Sequence, residues 1–119
     1  MTPEWDGIRQ ELIRLAKRRE CRRTDFSAAI PCEWSPQSVW DPRFGMFFTE
    51  PGAWAYIIEL LESGCEFTPK TMEKPPDTIA YEFALKLAPN LPELYIKVQS
   101  FKGKILGRSF HNSTKEVRT

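Results

Sequence analysis

The sequence predicts an α+β domain, with N-terminal helices packed on one face of a three- to four-stranded antiparallel sheet. Apolar residues recur with helical period near the N-terminus and again before Gly64, whereas over 79–99 the period changes to two. Helices come first and strands last, without the strand–helix–strand alternation that builds a parallel sheet. The 119 residues leave room for one domain, and 41% hydrophobic content is enough for one core.

The first helix is expected to start at Thr2 as N-cap, with Pro3 at N1 and Glu4 and Asp6 in the first turn. Ile8, Leu12, Leu15 and Ala16 form its apolar stripe, while Arg9, Arg14, Lys17, Arg18 and Arg19 fill most of the rest and read as a solvated face or as a surface for RNA phosphate or an acidic partner. An aromatic, proline-punctuated loop follows at about 31–48, in which Trp34, Trp40 and at least one of Phe47 and Phe48 should pack on the domain and not be freely solvated, since leaving each in water forgoes about 1.5–3 kcal/mol. Thr49 is the expected N-cap of a second helix that buries Trp54, Ile57, Ile58 and Leu61 and stops at Gly64. Strands are expected over 79–87, 94–99 and 104–111, with a turn at Lys102-Gly103-Lys104 and an edge strand at 66–72 weakened by Pro69. Ile79, Phe83, Leu85, Leu94, Ile96 and Val98 should bury against the second helix. The tail from Asn112 is polar and expected to fray.

Composition narrows the chemistry. The net charge of +1 hides basic ends and an acidic middle: residues 1–23 carry seven Arg/Lys against four Asp/Glu, 24–93 four against eleven, and 94–119 six against one. Indiscriminate coating of nucleic acid is therefore not expected, although a local basic surface is. No apolar run approaches the ~20 residues of a membrane span, and the N-terminus lacks the features of a signal peptide, so the cytoplasm is the expected compartment. Three scattered cysteines without a C-x-x-C, and a single histidine, argue for reduced thiols and no structural metal. Phosphate-loop, dinucleotide, zinc-protease and nucleophile-elbow motifs are absent, so no cofactor is expected. A Cys65–His111 nucleophile pair has no support from spacing.

What remains is the polar face of the strands. Glu82, Lys86, Tyr95 and Lys97 alternate with the apolar positions, and His111 and Arg108 stand near the end of the last strand. By alternation Arg108 shares a side with Leu106 and Phe110. Metal-free RNA cleavage needs one group to deprotonate the ribose 2′-OH, another to protonate the leaving oxygen, and cations for the developing phosphorane charge. Lys70, Glu82, Tyr95, Lys97, Arg108 and His111 include all three types.

The motifs TPKTM (68–72), the strand around Tyr81-Glu82-Phe83, LYIKV (94–98) and GRSFH (107–111) resemble, in order and spacing, those of the motility quorum-sensing regulator family of mRNA interferase toxins, which have a RelE-like fold. The family shows YKSM, a strand, VYLKI and VSFKE, and the spacing from Lys70 to Tyr95 is matched without a gap. Arg22-Arg23-Thr24, Ser27-Ala28 and the IIELLES before TPKTM fit as well, so the likeness covers most of the chain except 31–48, which looks like an insertion. The resemblance implies functional roles for Lys70 and Tyr95, and places Glu82 where the family has a glutamine and His111 where it has a catalytic lysine. It implies a cytoplasmic endoribonuclease acting on mRNA by 2′-OH attack, neutralised by a cognate antitoxin, with Lys70, Glu82, Tyr95 and His111 catalytic; the cations of the same strands, Lys97, Arg108 and Lys86, are then expected to hold phosphate, although Arg108 stands where the family has an apolar residue. The two departures keep a second expectation open: a non-catalytic RNA- or protein-binding module on the same fold. A domain used only for protein interaction would use the aromatic loop as its interface.

Overall fold

A computed structural model describes residues 3–25 and 27–113. The helical stripe becomes α1 (Pro3–Ala16), whose Leu12, Ile13, Leu15 and Ala16 are buried with Ile8 at the margin of the core. Thr2 and residues 114–119 of the tail lie outside the described residues. Beyond a short turn come β1 (Arg22–Arg23), β2 (Glu33–Trp34), β3 (Trp40–Asp41) and β4 (Met46–Phe47). α2 (Glu50–Glu62) follows, capped by Thr49, whose hydroxyl accepts from Gly52 N–H at 3.0 Å. Gly64 ends it at φ 82°, the left-handed conformation that terminates helices. Four longer strands complete the chain: β5 (Thr68–Met72), β6 (Thr78–Leu85), β7 (Leu94–Phe101) and β8 (Lys104–Asn112).

The fold is α+β, but the sheet has six strands where three or four were expected. Its order is β1-β8-β7-β6-β5, with β2 also on β8. β5 to β8 are antiparallel, whereas β1 and β2 run parallel to β8 and cover successive parts of its free edge, Arg22 opposite Ile105 and Glu33 opposite Ser109. Two-residue strands carry no alternation, so the sequence could not announce them. Pro69 is tolerated because β5 is the other edge, where a missing N–H costs no ladder bond. Lys102 (φ 52°) and Gly103 (φ 77°) make the two-residue turn between β7 and β8, with both central residues left-handed as a type I′ hairpin requires. Asn112 pairs with Leu94 instead of fraying.

One register shift matters more than the rest. Val98 pairs with Gly107 but Lys97 with Ser109, so Arg108 is an extra residue in β8. A bulge of this kind breaks alternation. Arg108 is thereby moved off the side of Phe110, where simple alternation puts it, and joins Ser109 on the face of Lys97 and Gln99.

The core lies between the helices and the other face of β6–β8, around Trp54, Phe83, Ile96 and Phe110. Trp34 closes it: its ring lies 5.0 Å from Trp54 and 5.5 Å from Phe110, and both indole N–H groups donate to the Glu50 carboxylate, at 2.8 and 3.1 Å. Gly107 is what lets Trp34 in, since a Cβ there would fall 2.5 Å from the indole ring. Phe48 packs on Phe110 at 5.0 Å.

Trp40, 40% exposed, is packed but outside the core: it meets Phe47, 51% exposed, edge to face at 5.1 Å on the β3–β4 hairpin. Two expectations about burial are corrected. Ile79 is 48% exposed, because the core on β6 stops at Tyr81. Arg9 is buried instead of solvated: its guanidinium donates to Leu61 O at 2.8 Å, in the last turn of α2, where Gly64 N–H also donates, and to Cys65 O at 3.0 Å just beyond the helix.

Candidate functional site

The face of the sheet turned away from the helices carries the chemistry. Cross-strand pairing sets Thr68, Glu82, Lys97 and Ser109 in one row. Ala84, Tyr95 and His111 form the next row, two residues along. Lys70 sits on the same face of β5, opposite Ala80, and its ammonium is 3.5 Å from Glu82 Oε1.

Lys70, Lys74, Lys97 and Arg108, with one carboxylate, Glu73, and with Pro31, Thr71 and Met72, line an open cavity of about 380 Å³. Arg108 is its fixed element. Only 2% exposed, it donates from Nη1 to Gln99 Oε1 at 2.6 Å, from Nη2 to Lys74 O at 2.6 Å and from Nε to Pro31 O at 3.1 Å. All three acceptors are neutral, and among the described residues no carboxylate pairs with it. Burial pushes the guanidinium below its ordinary value, opposed by the neighbouring Cys32 thiol, but an arginine remains charged. A rigid, desolvated cation at the wall of a lysine-lined cavity is suited to a phosphate.

The second cluster lies along the face. Tyr95 and His111 are in edge-to-face contact with centroids 6.0 Å apart. His111 Nδ1 is 2.9 Å from Asn112 O and Nε2 is 3.2 Å from Glu33 Oε1, a carboxylate 78% exposed. Both partners are acceptors, so both ring nitrogens face groups that call for an N–H. Sheet geometry puts the Cα atoms of Glu82 and His111 about 12 Å apart, a gap that their side chains and one phosphodiester can span.

Of the seven residues singled out from sequence, Lys70, Lys97 and Arg108 line one cavity, Glu82 stands beside it on the Lys70 ammonium, and Tyr95 and His111 form the neighbouring pair. Lys86 does not join them; it follows the last residue of β6, exposed, beyond Ala84. The sequence reading missed Gln99, Lys74 and Glu33. Gln99 was legible as a polar position of β7. Glu33 was not, because β2 is too short to show a pattern. The basic face of α1 is largely engaged elsewhere: Arg14 pairs with Glu11 at 2.7 Å, Lys17 with Glu62 at 2.7 Å and Arg18 with Glu20 at 3.1 Å.

Among the described residues, no group of three or more His, Cys, Asp or Glu side chains is placed to hold a metal ion, and no helix is long and apolar enough to cross a membrane. Comparison with known proteins adds no identity: no family model, curated protein or solved structure matches the chain.

Proposed function

We propose that the chain is a metal-independent endoribonuclease toxin of the cytoplasm, RelE-like in architecture, that cuts mRNA and is held in check by an antitoxin protein. The observation that carries the reading is the gathering of Lys70, Lys97 and Arg108 around one cavity beside Glu82, with Tyr95 and His111 next along the same sheet face. In the reaction, Glu82 removes the proton of the ribose 2′-OH, and the 2′-oxygen attacks the adjacent phosphorus. The bond to the 5′-oxygen breaks as His111 donates a proton to it, leaving a 2′,3′-cyclic phosphate and a 5′-hydroxyl. Lys70, Lys97 and Arg108 stabilise the charge on the phosphorane, and Tyr95 positions the substrate.

The deciding experiment is cleavage of a defined RNA in EDTA by the wild type and by His111→Ala, with the product ends mapped. The expected result is cyclic phosphate ends and a loss of about 10²- to 10⁴-fold in the variant. Equal rates would remove His111 from the mechanism, a strict requirement for a metal would overturn the metal-independent reading, and no cleavage by either protein would favour the second reading, a non-catalytic RNA- or protein-binding module. One observation speaks for that alternative: Glu82 and His111 already have charged partners, Lys70 and Glu33.

A further inference from the structure

The cavity between Lys74 and Lys97 holds more positive charge than one phosphodiester neutralises. Four cations line it against one carboxylate, Glu73, and Glu82 beside it takes the Lys70 ammonium, which leaves an excess of two. Among the described residues neither Lys74 nor Lys97 has an ion-pair partner. Arg108 has five N–H donors; three reach neutral oxygens and two remain. A surface lysine relieves such repulsion by swinging into water, but Arg108 is only 2% exposed and is held from three sides. Its charge stays desolvated and uncompensated, a cost that a bound anion removes.

The charge count selects the anion. An internal phosphodiester carries one negative charge and two free oxygens. A phosphomonoester carries three free oxygens and, above its second pKa of about 6, close to two charges. The walls favour recognition by charge: apart from Pro31 and Met72 they are polar, and among the described residues no aromatic ring lines them for a base. At about 380 Å³ and open, the cavity admits a phosphoryl group still attached to its nucleoside.

We propose that the cavity is a receptor for a doubly charged phosphoryl group, and that it holds the phosphate end of an RNA strand more tightly than an internal phosphodiester. The same preference serves the proposed cleavage, since the phosphorane formed by 2′-OH attack carries two negative charges where the diester carried one. Only this role rests on the nuclease reading; the binding preference stands without it. A strand ending in a phosphate then competes with uncut RNA for the same cations.

The test offers the full chain two ligands that differ by one charge, 2′-O-methyladenosine 3′-phosphate and its methyl phosphodiester, titrated by calorimetry in EDTA well above pH 6. Neither has the attacking hydroxyl, so binding is read without cleavage. Wild type should bind the monoester about 10-fold more tightly, the scale of one further charge contact at a partly wet site. Lys97→Met, which removes half of the excess, should shrink that ratio severalfold, and Lys97→Arg should keep it. Glu82→Gln frees the Lys70 ammonium and should tighten the monoester, a gain that misfolding does not mimic. Inorganic phosphate binding as tightly as the nucleotide would overturn the RNA end in favour of the free ion. Preference for the monoester in a protein that cleaves nothing would sink the nuclease and keep the receptor. Cleavage of RNA by a protein that binds both ligands equally, or neither, would do the reverse.

Discussion

On its helix side β7 presents Leu94, Ile96 and Val98, all buried; on the other it presents Tyr95, Lys97 and Gln99, of which only Gln99 is buried. The same residues of backbone thus serve a packed core and a charged surface. β8 adds a contrast that alternation does not supply. Phe110 sits in the core and His111 on the open face, as period two dictates, but Arg108 is as buried as Phe110 while lying on the polar side. Burial and face are therefore separate properties here. Arg108 is covered not by the helices but by the segment around Pro31 and the turn at Lys74, whose carbonyls it binds. The polar face holds a second, hydrogen-bonded interior.

The contrast can be broken most severely from the helix side. Phe110→Ala removes a ring in contact with Trp34 and Phe48 and should cost about 3–5 kcal/mol of stability, read by chemical denaturation. His111→Ala, one residue along, should cost a fraction of that. If the two variants are equally destabilised, the division between a packed face and a working face is wrong.

Arg108→Met tests the interior of the polar face. It fills similar space but strands Gln99 Oε1 and two backbone carbonyls, so we expect about 2–3 kcal/mol of destabilisation, less than Phe110→Ala. Binding of a polyanion such as heparin should weaken in the same variant while it remains folded. Unchanged stability would mean that the hydrogen bonds of Arg108 do not organise the cavity.

The smallest effect concerns the thiols. Burial pushes Cys32 and Cys65 above the ordinary cysteine value, despite the opposing charges of Arg108 and Arg9. Both should hold less thiolate than a free cysteine at pH 7.5, label more slowly with iodoacetamide, and gain rate as the pH rises past 9. Labelling of Cys32 as fast as a model thiol would show that the Arg108 charge outweighs burial, and that the polar face is wetter than its geometry implies.

Much of the site was legible before the fold. The positions of Glu82, Tyr95 and Lys97 on one face follow from period two, and Lys70 follows once residues 68–72 pair as an edge strand. Arg108 was assigned to the wrong side because a bulge is a register event between two strands and leaves no trace in either alone. Glu33 reaches His111 through a two-residue strand that no periodicity marks, and hydrophobicity says that Trp40 gains by packing on the domain but not that it does so on a hairpin outside the core.

The sequence by itself determined what depends on near neighbours: the two helices from their stripes, Thr49 and Gly64 as the ends of the second, the β7–β8 turn from Lys102-Gly103, and, Ile79 apart, the core-facing residues of β6 and β7. These features arise from interactions within about four residues, where side-chain chemistry and backbone preference act directly. Tertiary structure alone decided the parallel edge strands, the bulge that turns Arg108, the capping of α2 by Arg9 and the exposed hairpin. Each depends on groups far apart in the chain, 77 residues between Arg108 and Pro31 and 52 between Arg9 and Leu61, whose meeting follows only after the core has packed.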